Sequence, residues 1–221
     1  MEDLLTVLYS DDFEEYGHIH VIHVIQKEDR VEIAVSIHYE SYEERESENW
    51  IITAFAPLHT TIAFGTTDVC TMTTEHALLW RYQPKQAYVT FTGTTTVPYE
   101  LIGTLYTAHI ALVAHWIPFY TYLHLPAQLP TLLQGPVGLF ARGPEALMHT
   151  YATVLRRYNY HTSVSPGPVP TYWNGIERKK EDRTLRVLLL GQGYCIAPIF
   201  AAQRQERHPE RPSKHDTEHL T

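Results

Sequence analysis

The chain has 221 residues, 44% of them hydrophobic, enough to build a sizeable core in one large domain or two small ones. Its 25 acidic and 17 basic residues leave a formal net charge of −8. A nucleic-acid surface needs clustered Lys and Arg, and the one dense basic stretch, "ERKKEDR" at 177–183, is interrupted by acids, so charge argues against nucleic acid as a partner.

Near the N-terminus, "DLLTVLYSDDF" (3–13) spaces its apolar residues as a short amphipathic helix that Asp3 can cap. The start "MEDLLTVLYSDDFEE" is acidic and has no basic leader before an apolar core, so it does not read as a signal peptide. From His18 the period changes to two β-branched runs around "KEDR", which predicts an antiparallel hairpin. A two-residue turn at Glu28 and Asp29 sets His18 opposite Tyr39 and His20 opposite Ile37. In that register His18, His20, Ile22 and Val24 share the core face with Val31, Ile33, Val35, Ile37 and Tyr39. "EERESEN" (43–49) reads as a charged connection. "WIITAFAP" (50–57) is a strand that bends at Pro57 into "LHTTIAFG" (58–65), and a threonine-rich segment with one more short strand follows. "QAYVTFTG" (86–93) is a strand with Ala87, Val89 and Phe91 on one side.

From Pro98 the pattern is helical, with Leu101, Leu105, Ala108, Leu112 and Trp116 on one stripe and Pro118 as the stop. The stretch 105–125 is long and apolar. Three histidines and Pro118 within it favour a buried, broken helix over a membrane span. A short helical turn is predicted near 129–140. A second helix is predicted over 143–160, opened by Pro144 and Glu145 and closed by Arg156 and Arg157. "SPGPVPTYW" (165–173) is an extended proline-rich loop, "TLRVLLL" (184–190) an apolar strand, and "YCIAPIFAAQ" (194–203) a return strand or short helix. Strands come first, then helices, then late strands. This predicts an α+β fold: a meandering N-terminal antiparallel sheet, helices on one face, and a late strand or hairpin joining the sheet. Residues 1–203 are expected to form one domain, and the polar tail 204–221 to be disordered.

Few motifs carry chemistry. His59-Thr60-Thr61-Ile62 and His161-Thr162-Ser163-Val164 both have the form His-x-Thr/Ser-apolar. Each locally resembles the paired motif of the 2H phosphoesterases. The resemblance implies His59 and His161 as the acid/base pair on a phosphodiester, with Thr61 and Ser163 holding the phosphate. It covers four residues at each place, and the second match lies between a helix and a proline-rich loop, where the sequence predicts coil. "GQG" (191–193) after an apolar strand lacks the third glycine, which falls on Ile196, and reads as a tight turn with Gly191 and Gly193 at positive φ. His18 and His20 share a strand face, but the expected neighbours Tyr39 and Ile37 are poor metal ligands, so no metal or cofactor is expected. Cys70 and Cys195 are too few for a disulfide framework and suit two buried thiols in a reducing compartment.

The aromatic load includes fifteen tyrosines, and Tyr and Trp are common anchors of recognition surfaces. Tyr120, Tyr122, Tyr172 and Trp173 are the binding candidates. The reading reached from the sequence is a non-catalytic interaction or assembly module of a bacterial-type cytoplasmic system, with a protein partner or self-association. A phosphodiesterase-like enzyme and a small-molecule or metal-binding domain are the alternatives.

Overall fold

The computed structural model describes residues 1–11, 13, 17–41, 44–173 and 176–205, with backbone alone at 40, 41, 44, 45, 172 and 173. The fold is α+β with antiparallel sheets. Contacts divide the chain into two compact units, Met1–Met72 with Leu185–Thr221, and Thr73–Thr184. Among the described residues, no helix is long and apolar enough to cross a membrane.

The first unit opens with helix α1 (Glu2–Leu8), which buries Leu4 and Leu8. Asp3 lies inside its first turn rather than capping it, and no side chain caps the helix. Strands β1 (His18–Gln26), β2 (Arg30–Ser41) and β3 (Glu44–Phe55) form an antiparallel meander. The chain turns at Ala56, which holds a positive φ of 47° and donates its backbone N–H to the Asp29 carbonyl at 2.8 Å. Beyond Pro57 it continues as β4 (His59–Thr60), then β5 (Gly65–Thr67) and β6 (Cys70–Thr73). After the second unit it returns as β12 (Arg186–Leu190), β13 (Gly193–Ala197) and β14 (Ile199–Gln205).

The hydrogen-bonded neighbours are β14-β3-β2-β1-β5 in one sheet and β4-β13-β12-β6 in the other. Three strands of one sheet run directly into strands of the other. β3 becomes β4 at Pro57, β13 becomes β14 at Pro198, and β5 becomes β6 across Asp68 and Val69. Proline, with no N–H to give a ladder, is tolerated at such corners. The neighbour relations therefore close into a ring of six bent or straight strands around one core, which joins Ile33, Ile37 and Ile52 of the first sheet to Leu188, Leu190 and Cys195 of the second.

The hairpin turn is the expected one, at Glu28 and Asp29, and the register from His23 to Gln26 is as expected. A β-bulge at Ile22 then shifts it by one residue. Upstream of the bulge Ile19 and Val21 face the core, and His18, His20 and Ile22 are exposed. The expectation that His18, His20 and Ile22 face the core is thereby corrected. His18 lies opposite His38 and His20 opposite Ser36, not opposite Tyr39 and Ile37. Residues 44–49, expected as a connection, extend β3, and Arg204 and Gln205, expected in the tail, complete β14. The rest of that tail, 206–221, lies outside the described residues.

The second unit has its own core. Its sheet has order β8-β7-β9, with β7 (Gln86–Thr92) central and β8 (Val137–Pro144) and β9 (His161–Pro166) antiparallel to it on either side. Helices α2 (Pro98–Val113), α3 (Leu129–Gln134) and α4 (Glu145–Arg157) pack on the face that carries Ala87, Val89 and Phe91. The proline-rich segment enters β10 (Thr171–Trp173), paired with β11 (Arg178–Lys180). α2 begins at Pro98 as expected but ends at Val113, before Trp116 and Pro118, with Ala114 at a φ of 51°. Its buried stripe is Leu101, Leu105, His109 and Val113, so His109 takes the place expected for Ala108, and Leu112 is exposed.

Gly193 closes the first unit's ring where β13 passes the segment after β4. A Cβ at Gly193 would stand 2.8 Å from the Ile62 Cα and 3.1 Å from the Thr61 carbonyl oxygen. Both obstacles are backbone. Gly193→Ala is expected to destabilise the fold by roughly 1–3 kcal/mol, read as a lower midpoint in urea unfolding.

Candidate functional site

His59 and Thr61 belong to the first unit, His161 and Ser163 to the second. The β4 strand is short because only Thr60 and His59 pair with Cys195 and Ile196. His59 is exposed and its ring stacks on Tyr194, with centroids 5.3 Å apart. The Thr61 backbone N–H donates to the Tyr194 carbonyl at 2.8 Å, and the Tyr194 N–H donates to Thr61 Oγ1 at 3.1 Å. These contacts tie β4 to β13, so both residues have a packing role whatever else they do.

The second motif is a strand, which corrects the expectation of coil. His161 and Ser163 lie on the exposed face of β9, opposite Thr92 and Thr90 of β7. Thr162 points the other way, its hydroxyl buried without a hydrogen-bond partner among the described residues. Hydroxyls at Thr90, Thr92 and Ser163 beside one imidazole can hold water or a polar ligand.

The other histidines sort by environment. His18 stacks on His38, with centroids 4.9 Å apart and planes 14° apart, while His20 Nδ1 lies 3.1 Å from Thr66 Oγ1. Burial, then the neighbouring His18 and His20, hold His38 below the ordinary histidine value. Among the described residues, no group of three or more His, Cys, Asp or Glu side chains has the geometry to hold a metal ion. His109 is fully buried. Its Nε2 donates to the Ile117 carbonyl at 2.7 Å, and its Nδ1 shares a hydrogen bond with the Tyr151 hydroxyl at 2.8 Å. Both nitrogens are used in tying α2 to α4 and to the segment after α2. His76 Nδ1 accepts from the Leu78 N–H at 3.3 Å and caps the 3-10 turn Ala77–Tyr82.

The thiols are inert at neutral pH. Burial pushes Cys70 up to about 12 and Cys195 up to about 11, the latter against a smaller opposing pull from the Thr60 hydroxyl. In the "GQG" turn only Gly191 has positive φ, at 61°, which suits the first central position of a two-residue hairpin turn. Gly193 is needed for the close approach to Ile62, not for its own φ.

Of the aromatic candidates, Tyr120 is 64% exposed and available. Tyr122 is half-buried, and burial raises its phenol above the ordinary value. Its ring fills the space where Gly143 lacks a side chain, so it is a packing residue rather than a surface anchor. The backbones of Tyr172 and Trp173 lie in β10, and their side chains lie outside the described residues.

One polar cluster was not read from the sequence. Glu48 is buried, accepting from the Tyr39 hydroxyl at 3.0 Å and Trp50 Nε1 at 2.9 Å, with Arg204 Nη2 at 2.9 Å. Burial, then the carboxylate of Glu48, raises Tyr39 above its ordinary value and keeps it a neutral donor. The signal was the phase: Glu48 shares its strand face with Trp50, Ile52 and Ala54. The cluster pins β14 to β3, and every Glu48 oxygen has a donor, so its role is structural.

The His76 cap has a pH dependence with a definite sign. Burial, then His115, holds His76 below the ordinary value, so as pH falls the unfolded chain takes up the proton before the folded chain does. The stability this cap adds is complete above about pH 6.5 and is lost as pH falls toward the folded value. Urea unfolding at neutral and mildly acid pH is expected to show a fall in midpoint that His76→Asn, a cap that does not titrate, reduces.

No family model matches the chain, and comparison with curated proteins and with solved structures finds no match.

Proposed function

We propose that the chain is a non-catalytic interaction or assembly module of a bacterial-type cytoplasmic system, acting through an aromatic surface of the second unit. The observation that carries the reading is the run of exposed rings on α2 and the turn after it. Tyr99 is 76% exposed, Tyr106 52% and Tyr120 64%, with Ile110 beside them on the helix. Tyr106 sets its ring edge-on to Phe119, so helix and turn form one surface. Tyrosine offers a large, amphipathic contact area while losing only two side-chain torsions on binding. No cofactor enters this reading. Tyr172 and Trp173 are further candidates on the same unit.

Tyr99→Ser with Tyr120→Ser removes two exposed rings without touching a buried contact. The double variant is expected to keep the wild-type melting temperature and lose at least tenfold in self-association or in retrieval of partners from native extract. Unchanged behaviour in both assays overturns the reading.

A phosphoesterase reading is supported by one observation, the strand geometry that puts His161 and Ser163 on one exposed face of β9. It requires hydrolysis of bis(p-nitrophenyl) phosphate by the purified chain, abolished by His59→Ala and by His161→Ala separately. A wild-type chain without such activity, or activity indifferent to either variant, removes it.

A further inference from the structure

We infer that His18, His20 and His38 form a binding site for a divalent transition-metal ion, Zn²⁺, on the outer face of the first unit's sheet. The inference does not depend on the aromatic-surface reading.

The β-bulge at Ile22 creates the arrangement. The unshifted register would set His18 and His20 against Tyr39 and Ile37 on the core face, where both neighbours are poor metal ligands. The shift turns the two histidines to solvent and places His38 directly opposite His18, with Ser36 opposite His20. Residues i and i+2 of a strand project from the same face, so β1 offers two imidazoles and β2 a third. Directly opposed side chains start about 5 Å apart and diagonal ones about 7 Å, a span that three imidazoles can close onto one point.

Zinc takes imidazole nitrogens at about 2.0–2.1 Å, so two of them on a tetrahedral ion stand about 3.3 Å apart. The His18 and His38 rings are already in contact, stacked with centroids 4.9 Å apart, while His20 turns its Nδ1 to Thr66 Oγ1 at 3.1 Å. Three rings so placed do not yet share a point. Binding requires the stack to open and His20 to leave Thr66. His18, His20 and Thr66 are all exposed, so water replaces the contacts given up. Three histidines then leave the fourth position of a tetrahedral ion to water.

The surroundings suit a cation. Beyond the site, His38 faces Ser47 and Ser36 faces Asn49, so neither row of the ladder brings a lysine or arginine against it. The chain's net charge of −8 draws cations. Burial, then His18 and His20, holds His38 below the ordinary histidine value, which favours the neutral imidazole that a metal takes as ligand.

Isothermal titration of the full chain with ZnCl₂ at about pH 7.5, over about 0.1 to about 100 µM free ion, tests this. The wild type is expected to bind one ion per chain with micromolar affinity. His18→Gln, His20→Gln and His38→Gln each remove one ligand, and each is expected to weaken binding at least tenfold. The first two change exposed side chains and are expected to keep the wild-type melting temperature in the absence of metal, so they remain informative if His38→Gln fails to fold. His23→Gln, past the bulge and opposite Ala34, is expected to leave the affinity within about twofold. A wild type without a saturable site over that range overturns the inference. So does an affinity indifferent to any one of the three substitutions, or one lowered as much by His23→Gln.

Discussion

The first unit depends on one long ladder, in which β3 and β4 pair with β14 and β13 around a shared corner. The pairing begins at Asn49 with Gln205 and ends at Thr60 with Cys195. It brings together residues about 140 positions apart, and without it the N-terminal meander and the late strands are two open sheets with raw edges. Everything the core needs follows from this closure. Leu188 and Cys195 are delivered against the Ile33 and Ile52 face, and α1 adds Leu4 and Leu8 to the same apolar cluster. The corner is made by residues that resist a flat sheet. Ala56 is held at positive φ by its bond to Asp29, and Pro57 and Pro198 bend the two partners together.

Much of this was legible locally. The β-branched runs around Glu28 and Asp29 specified two strands and their turn, and Pro57 marked the bend. The unread part has a common cause: the decisive partner is distant. In "HIHVIHVI" every register buries some apolar residues, so local alternation cannot choose between them. The bulge at Ile22 settles it, because β1 must serve both β2 and β5. Glu46 and Glu48 looked like solvent-facing charge until Tyr39, Trp50 and Arg204 were seen to surround the latter. Prolines around His161 suggested coil, but the open edge of β7 recruits that segment as a strand.

In the second unit the same lesson holds within a helix. The apolar residues of α2 occur on every side, so the sequence did not say which stripe is inward. The answer came from a polar residue. His109 is buried because Tyr151 and the Ile117 carbonyl satisfy both its nitrogens. That choice leaves Tyr99, Tyr106 and Ile110 outside. Tyr122 and Tyr120 show how fine the sorting is, since two residues on one 3-10 turn divide between filling the space beside Gly143 and facing water. The candidate site was thus visible as a composition, an excess of tyrosine, but not as a location.

β6 and β12 are neighbours in the ring, yet 112 residues of the second unit separate them. For the first unit, that whole insert plays the part of a hairpin connection. Closing a flexible loop of that length costs about 4 kcal/mol of chain entropy. An insert that folded on its own core before the ring closed would fix the separation of its ends in advance and remove most of that cost. In that order of assembly the later-made segments of the ring would wait on the middle of the chain, and damage to the α2–α4 core would be felt as a failure to shut the ring.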